Sequence, residues 1–340
     1  MSYLVAFFIY LYIFAYILLG ENMLRKMVIK KIIISSFALL SIVLLYFMPS
    51  NKDEVTLTTN VEYVYPDTLE TIYLLDSNDY VARTEITTCN CDILEKSKLL
   101  LEGIIIGGKK SDIIPNGFRG IIPVDTEILD ISLDNKVLTI NFSKELLDIN
   151  KDYEEKMIES IIYTLTSLNG IDKVIIKVEG NVLDRLPISN KILPTSLDKS
   201  YGINKMYELN NLFDITSYTV FYVNEYNDNY YYVPVTKYIN NDNQDKVKVI
   251  IEEMSSAPIL ETSLMSFLNV NAKLLDYELL ENSIKLNFDN KIFNSIENNT
   301  ILEEVMYTIG LSMEAEFGVE EVVFYVNNEE IAKKTLKSVD

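Results

Sequence analysis

The chain has 340 residues, enough for two ordinary domains and a membrane segment, and its 50 Asp and Glu outweigh 30 Lys and Arg to give a net charge of −20. It contains no histidine and no tryptophan, which excludes Ser-His-Asp and Cys-His triads, histidine general bases and imidazole metal sites. Residues 1–50 carry +3, so the other 290 residues hold −23, a surface that repels nucleic acid and anionic lipid headgroups.

Two uncharged apolar runs, 3–19 and 32–48, flank Arg25, Lys26, Lys30 and Lys31. Each is at the short limit for a membrane span. The basic link belongs in the cytoplasm and everything after residue 50 outside it. Met48-Pro49-Ser50 is a poor cleavage site, so the second run reads as an uncleaved anchor. Translation from Met23 or Met27 gives one span, and from Met1 a two-span hairpin. Residues 1–50 are thus expected to be a membrane anchor, with the protein at the cell membrane and its C-terminal part outside the cytoplasm. Residues 51–70, polar and Thr-rich, read as a stalk.

Two β-branched and aromatic runs within 71–86 predict strands. Residues 92–102 predict a helix with Asp92 as N-cap, Glu95 completing a capping box and Gly103 at its end. The Gly- and Pro-containing stretch 104–126 reads as a long ordered loop, or a loop with a short strand. Strands follow at 127–133 and 137–142 around the turn signal Asp134-Asn135. The helix 152–168 places Met157, Ile158, Ile161, Ile162, Leu165 and Leu168 on one apolar face, and a strand at 172–178 closes the unit. Residues 181–216, with Pro187 and Pro194 and little periodicity, read as a linker that partly packs on a domain. Strands near 218–224 and 230–236 then precede a helix at 245–254, with Val247, Ile250, Ile251 and Met254 on one face. Strands at 273–280 and 283–288 lead to a helix opening at Thr300 and Glu303 as a second capping box. A strand at 321–326 ends the series.

The second series repeats the first. Tyr73-Leu74-Leu75 returns as Phe221-Tyr222-Val223, and Tyr163-Thr164-Leu165 as Tyr307-Thr308-Ile309. Leu129-Asp130 with Asn141-Phe142 returns as Leu275-Asp276 with Asn287-Phe288. Gly170-Ile171-Asp172-Lys173-Val174 returns as Gly318-Val319-Glu320-Glu321-Val322. The offsets are 148, 144, 146 and 148 residues, a duplicated domain rather than a solenoid. The fold class is therefore α+β: two tandem copies of a ββαββαβ domain, each a mixed sheet with helices on one face, behind the N-terminal transmembrane helix or helices. The domains are set at 71–180 and 217–330, with a tail at 331–340.

This pattern resembles the tandem GerMN-domain family of spore-forming bacteria. The residues that carry it in the first copy are Leu99-Leu100-Leu101-Glu102-Gly103, Ile122-Pro123-Val124-Asp125-Thr126-Glu127-Ile128-Leu129 and Val137-Leu138-Thr139-Ile140-Asn141-Phe142-Ser143. Ile161-Ile162-Tyr163-Thr164-Leu165, Gly170-Ile171-Asp172-Lys173-Val174 and Val178-Glu179-Gly180 complete them, and Tyr201-Gly202-Ile203-Asn204 resembles the inter-domain pattern. The resemblance covers roughly residues 70–330. The second copy departs from it in having no Pro that matches Pro123. It implies a sporulation or germination role and a fold similar to the ring-building motif domains of secretion systems. It implies a non-enzymatic scaffold, without cofactor or metal, that supports a channel complex between mother cell and forespore. The expected partners are other sporulation envelope or channel proteins and further copies of the chain. Family members are often lipoproteins, and here an N-terminal helix would replace the lipid because the lipid-bearing cysteine is absent. Binding or sensing of cell-wall peptidoglycan is the alternative reading, with the acidic surface against it.

Tyr222, Tyr226, Tyr230, Tyr231 and Tyr232 crowd the first hairpin of the second copy, beside Tyr218. Tyr230 and Tyr232 share one strand face and Tyr231 takes the other, so one set is core and the other exposed and suited to a protein interface; a mix of core and scattered surface tyrosines is the plainer reading. Gly103 to Lys110 is a near miss to a phosphate-binding loop, lacking the Ser or Thr after its lysine. Cys89 and Cys91 allow a strained disulfide, a redox pair or half a metal site, and the plainer reading is two thiols near a strand end. A metal would need two further ligands that no other Cys or His supplies. The pairs Glu154-Glu155, Glu303-Glu304 and Glu320-Glu321 read as solvated helix starts and turns. Asn141 and Asn287 read as a repeated structural hydrogen bond.

Overall fold

The computed structural model describes residues 68–240, 245–256, 262–293 and 299–336, with Ile9, Ile34–Ser36, Ala38 and Leu39 near the N-terminus. All but six residues of the expected anchor, and most of the expected stalk, lie outside the described residues. No described helix is long and apolar enough to cross a membrane.

The first copy opens with the hairpin β1 (Thr68–Asp76) and β2 (Val81–Thr88), then α1 (Ile93–Ile104) and the short β3 (Phe118–Arg119). It continues with β4 (Ile128–Asp134), β5 (Val137–Phe142), α2 (Glu154–Leu165), β6 (Lys173–Val178) and β7 (Asn181–Val182). The linker holds β8 (Met206–Glu208). The second copy contains β9 (Ile215–Tyr226), β10 (Asn229–Asn240), α3 (Lys246–Ser255), β11 (Leu274–Leu279) and β12 (Ser283–Phe288), then α4 (Glu303–Phe317), β13 (Glu321–Val326) and β14 (Glu329–Thr335). The expected ββαββαβ order is present twice, and β3, β7, β8 and β14 are additions.

Local chemistry accounts for several boundaries. Asp92 caps α1 by accepting from the N–H groups of Leu94 and Glu95. Asn135 and Lys136 both have positive φ, as do Asn227 with Asp228 and Asn327 with Asn328. Such paired left-handed residues form the tight turn whose twist suits a hairpin. The Thr300 capping box does not form: α4 starts after Leu302, which makes no side-chain cap. Thr300 is held in an extended bridge two residues earlier.

The expectation of one mixed sheet per copy is corrected. Each copy has a four-stranded mixed sheet, β4-β5-β6-β7 or β11-β12-β13-β14, with its middle pair parallel. The hairpins stand apart from these sheets and join each other in one six-stranded sheet. Its order is β3-β1-β2-β10-β8, with β9 on the other side of β10. The helices therefore have two faces to fill. α2 packs on β1 and β2 and also on β6, while α4 packs on β9 and on β13 and β14. All of Met157 to Leu165 in α2 is buried, polar residues included, where sequence periodicity suggests a single apolar face.

The second face is built from hydroxyl groups that replace a neighbouring strand. Tyr73 N–H donates to Thr164 Oγ1 at 2.9 Å, and Ser160 Oγ donates to the Tyr73 carbonyl at 2.6 Å. Ser167 Oγ donates to the Thr71 carbonyl. In the second copy Phe221 N–H donates to Ser312 Oγ at 2.9 Å and Thr219 N–H to Glu316 Oε1 at 2.9 Å. The exposed edge of each hairpin is thus satisfied by a helix, which closes it to further strand pairing. These bonds also correct the alignment of the copies. Tyr73 corresponds to Phe221, so Thr164 corresponds to Ser312 and not to Thr308, one helical turn earlier.

β2 and β10, the second strands of the two hairpins, meet antiparallel at Arg83 and Tyr232. Two residues further along, Pro234 has no N–H to give. The linker's Asn204 fills this gap. Its Oδ1 accepts from Val81 N–H at 3.0 Å, and its Nδ2 donates to the carbonyls of Val81 at 2.9 Å and Pro234 at 2.8 Å. Asn204 has φ +45°, a conformation that asparagine tolerates better than most residues. Beside it, Ile203 is fully buried and exchanges bonds with Thr236. A small core of Ala82, Tyr231, Val233, Val235 and Leu264 fills the joint.

The linker is pinned to α2 as well. Glu154 is buried, and its carboxylate accepts from the backbone N–H groups of Ile188 and Ser189. Burial works against its charge, but these bonds prevail and hold its pKa below the ordinary glutamate value. A lowered carboxylate pKa means that this stabilisation is present above the unfolded pKa and is lost as pH falls through the folded one.

Three outcomes test this arrangement. Asn204→Ala leaves three backbone groups without their partner and is expected to cost about 2–3 kcal/mol. Because the central sheet is shared, urea unfolding followed by tyrosine fluorescence and far-UV circular dichroism is expected to show one coincident transition in the wild type; two separate transitions would refute a shared sheet. Glu154→Gln is expected to cost about 1.5–3 kcal/mol near neutral pH. That difference should close as pH falls below about 4, which denaturation midpoints across a pH series will show.

Candidate interaction surface

The tyrosine-rich hairpin β9–β10 splits by position. Tyr231 points into the joint between the copies, where its hydroxyl donates to Asp76 Oδ2 at 2.8 Å and its ring meets Phe118 edge-on at 4.9 Å. Burial and the Asp76 carboxylate raise its pKa. Tyr222 is half-buried and donates to Glu253 of α3 at 2.7 Å. Tyr226 lies on Gly117 of the first copy, where a Cβ would come within 2.6 Å of its ring, so only glycine permits the approach. Tyr232 stacks on Tyr307 of α4, with ring centroids 5.3 Å apart, and burial with Glu304 nearby pushes its pKa to about 12. Lys334 lies 3.5 Å from the centre of the Tyr307 ring. Tyr230 is 49% exposed and rests edge-on against Phe267. Of the five tyrosines nominated as a surface, Tyr230 offers the most exposed ring, and Tyr231 is internal.

The joint is built around a buried carboxylate. Asp76 is 1% exposed. One oxygen accepts from the N–H groups of Asn78 and Tyr80, shaping the β1–β2 turn, and the other from Asn224 Nδ2 at 3.1 Å and Tyr231. Asp76 and Asn224 stand 148 positions apart, the offset of the repeat, so equivalent residues of the two copies bond to each other. A second buried charge, Lys237, is held between Glu208 at 2.8 Å and Glu253 at 2.6 Å. Burial opposes its charge, and the two carboxylates nevertheless raise its pKa. No run in the sequence signals these contacts, because their partners lie on separate elements.

The repeated quartet Leu129-Asp130/Asn141-Phe142 and Leu275-Asp276/Asn287-Phe288 is a β-bulge. Pairing skips from Ile128 to Asp130 and from Leu274 to Asp276, leaving Leu129 and Leu275 unpaired and 46% and 51% exposed. The asparagines brace the next turn, as expected. Asn141 Oδ1 accepts from Gly180 N–H at 2.8 Å and Asn287 Oδ1 from Asn328 N–H at 3.0 Å.

The remaining motifs resolve plainly. Cys89 and Cys91 are bonded to each other, which corrects the reading of two separate thiols. The pair projects to one side at the end of β2 with Cα atoms 5.2 Å apart, within disulfide reach. The phosphate-loop near miss begins inside α1, so a helix stands where the motif requires a strand. Glu154 is buried rather than solvated, because the folded-back linker covers it. Glu155 pairs with Lys191 and Lys205, and Glu303 with Lys334. Among the described residues no three Asp, Glu or Cys gather as a metal site.

Residues 45–184 and 219–332 each match the family model Germane, described as sporulation and spore germination. The spore germination protein GerM of Bacillus subtilis strain 168 is 30% identical over 281 residues, 81% of this chain and 76% of GerM. The solved tandem GerMN domains of the sporulation protein GerM from B. subtilis match with a TM-score of 0.71 at 29% identity, covering 77% of this chain and 92% of that one. With both copies matched in sequence and the tandem matched in structure, the chain belongs to the Germane family of sporulation and spore germination proteins.

Proposed function

We propose that this chain serves sporulation or germination as a non-enzymatic scaffold outside the cytoplasm, held at the membrane by its N-terminal segment. It works by protein contacts within an envelope complex between mother cell and forespore, with other envelope or channel proteins and further copies of itself as partners. The relationship to B. subtilis GerM, named for sporulation and spore germination, supports the process. The observation that carries the mode of action is the shared central sheet. It joins the two copies through β2 and β10, and the buried Asp76 and Glu154 with the half-buried Asn204 hold linker and copies together. A rigid two-domain body of this kind suits positioning of partners, since less freedom is lost when they bind.

In the organism that carries the gene, its deletion is expected to lower the yield of heat-resistant spores or to slow their germination. Normal yield with normal germination would overturn the proposal. Tyr230→Ala, an exposed substitution, should leave stability within about 0.5 kcal/mol of wild type. The same variant is expected to reduce the envelope proteins that cross-link to the tagged chain in sporulating cells. Undiminished cross-linking would remove Tyr230 from the contact surface.

A further inference from the structure

A second group of aromatic side chains lies outside the tyrosine-rich turn, where the linker crosses α2 and β10. β8 runs parallel to β10 and sets Tyr207 beside Tyr238. The two rings stack with centroids 4.9 Å apart and an angle of 17° between planes. Tyr207 is 62% exposed, so one ring face is backed by Tyr238 and the other is open. Tyr238 is fixed in turn, its hydroxyl 3.4 Å from the Tyr201 carbonyl, in a space where a Cβ on Gly202 would come within 2.8 Å. Lys205 Nζ sits 3.5 Å from the centre of the Tyr201 ring.

Charged groups edge this strip, and they are tied to one another. Lys205 bonds Glu159 at 3.3 Å and Glu155 at 3.4 Å, and Glu155 also holds Lys191. Glu155 and Lys191 both lie close enough to influence the Tyr207 phenol, whose pKa is raised by burial and then by Glu155. The carboxylates and ammonium groups are positioned before any ligand arrives, while Lys191 and Glu155 keep access to solvent.

We propose that this strip is a carbohydrate subsite, with the open face of Tyr207 stacking on the C–H face of a pyranose and the Glu155–Lys191 pair binding its hydroxyl or acetamide groups. A sugar presents one apolar face edged by donors and acceptors, and an amphipathic aromatic ring edged by fixed polar groups complements it. A protein hot spot would instead be set in a desolvated apolar pocket, and the groups beside Tyr207 are ion pairs. The net charge of −20 disfavours anionic polymers. The ligand class is therefore an uncharged glycan, for which an N-acetylglucosamine oligomer is the probe. This inference is independent of the scaffold proposal, and the spore phenotype of a deletion does not decide it.

The test is titration of the purified full chain with the β-1,4-linked tetramer of N-acetylglucosamine, read by calorimetry and by tyrosine fluorescence, which no tryptophan obscures. Saturable binding is expected. Tyr207→Ala should weaken it by about tenfold or more, while Tyr207→Phe retains the stack and most of the affinity. Val270→Ser, a substitution at an exposed position outside the strip, should bind as wild type. No saturation up to about 10 mM tetramer, or equal binding by Tyr207→Ala, overturns the proposal. So does loss of a co-purifying protein from Tyr207→Ala without any glycan binding, which would assign the strip to a protein partner.

Discussion

The fold depends on how β2 and β10 are joined. β2 and β10 pair at Arg83 and Tyr232, and Pro234 prevents the ladder from continuing in the ordinary way. A sheet interrupted there would leave buried backbone groups unpaired, each costing about 1–3 kcal/mol. Asn204 removes that cost from both strands at once, because an amide side chain carries a donor and an acceptor much as a peptide group does. The residue that completes the sheet therefore belongs to neither copy. This gives the linker a structural reason to be long: it must travel back over α2, pinned by Glu154, to bring Tyr201 to Asn204 between the copies.

The same constraint divides the polar residues. A helix placed between a hairpin and a mixed sheet cannot be purely amphipathic, because one of its neighbours is a strand edge with free N–H and C=O groups. Ser160, Thr164 and Ser312 meet that demand with hydroxyls small enough to sit at the contact. Glu159 shows the cost of placing charge there. Burial raises its pKa against the opposing pull of Lys205, and it is retained in contact with Lys205 and the Asn204 N–H.

Much of the architecture was legible in the sequence because duplication states each element twice. The α+β class and the order of the elements follow from periodicity, turn residues and repeated fragments, and the GerMN resemblance rests on the particular residue stretches of the first copy. What escaped has physical causes. β14 is the charge-rich run Glu329–Thr335 on a sheet edge, where alternation is not required. Tyr163-Thr164 and Tyr307-Thr308 match in letters, but one turn of helix returns to the same face, so letters alone cannot choose between Thr308 and Ser312. Tyr238 is distant in sequence from Tyr201 and Tyr207 and meets Tyr207 only through the parallel pairing of β8 with β10. Nearly all of the expected membrane anchor lies outside the described residues.

Strand pairing with other molecules is restricted at β1, β9, β4 and β11. β1 and β9, the hairpin edges, are covered by helices. β4 and β11, edges of the two mixed sheets, each carry a bulge where Leu129 and Leu275 interrupt the ladder. A bulge bends and twists an edge away from a flat partner, so an added strand would find its register broken at equivalent places in both copies. Besides the edges β7 and β14, the chain presents a set of rings and apolar side chains fixed from behind: Tyr230 against Phe267, Tyr207 against Tyr238, and the two bulge leucines above braced turns. Each is held by contacts that do not depend on a ligand, and this pre-ordering lowers the freedom lost when a partner binds.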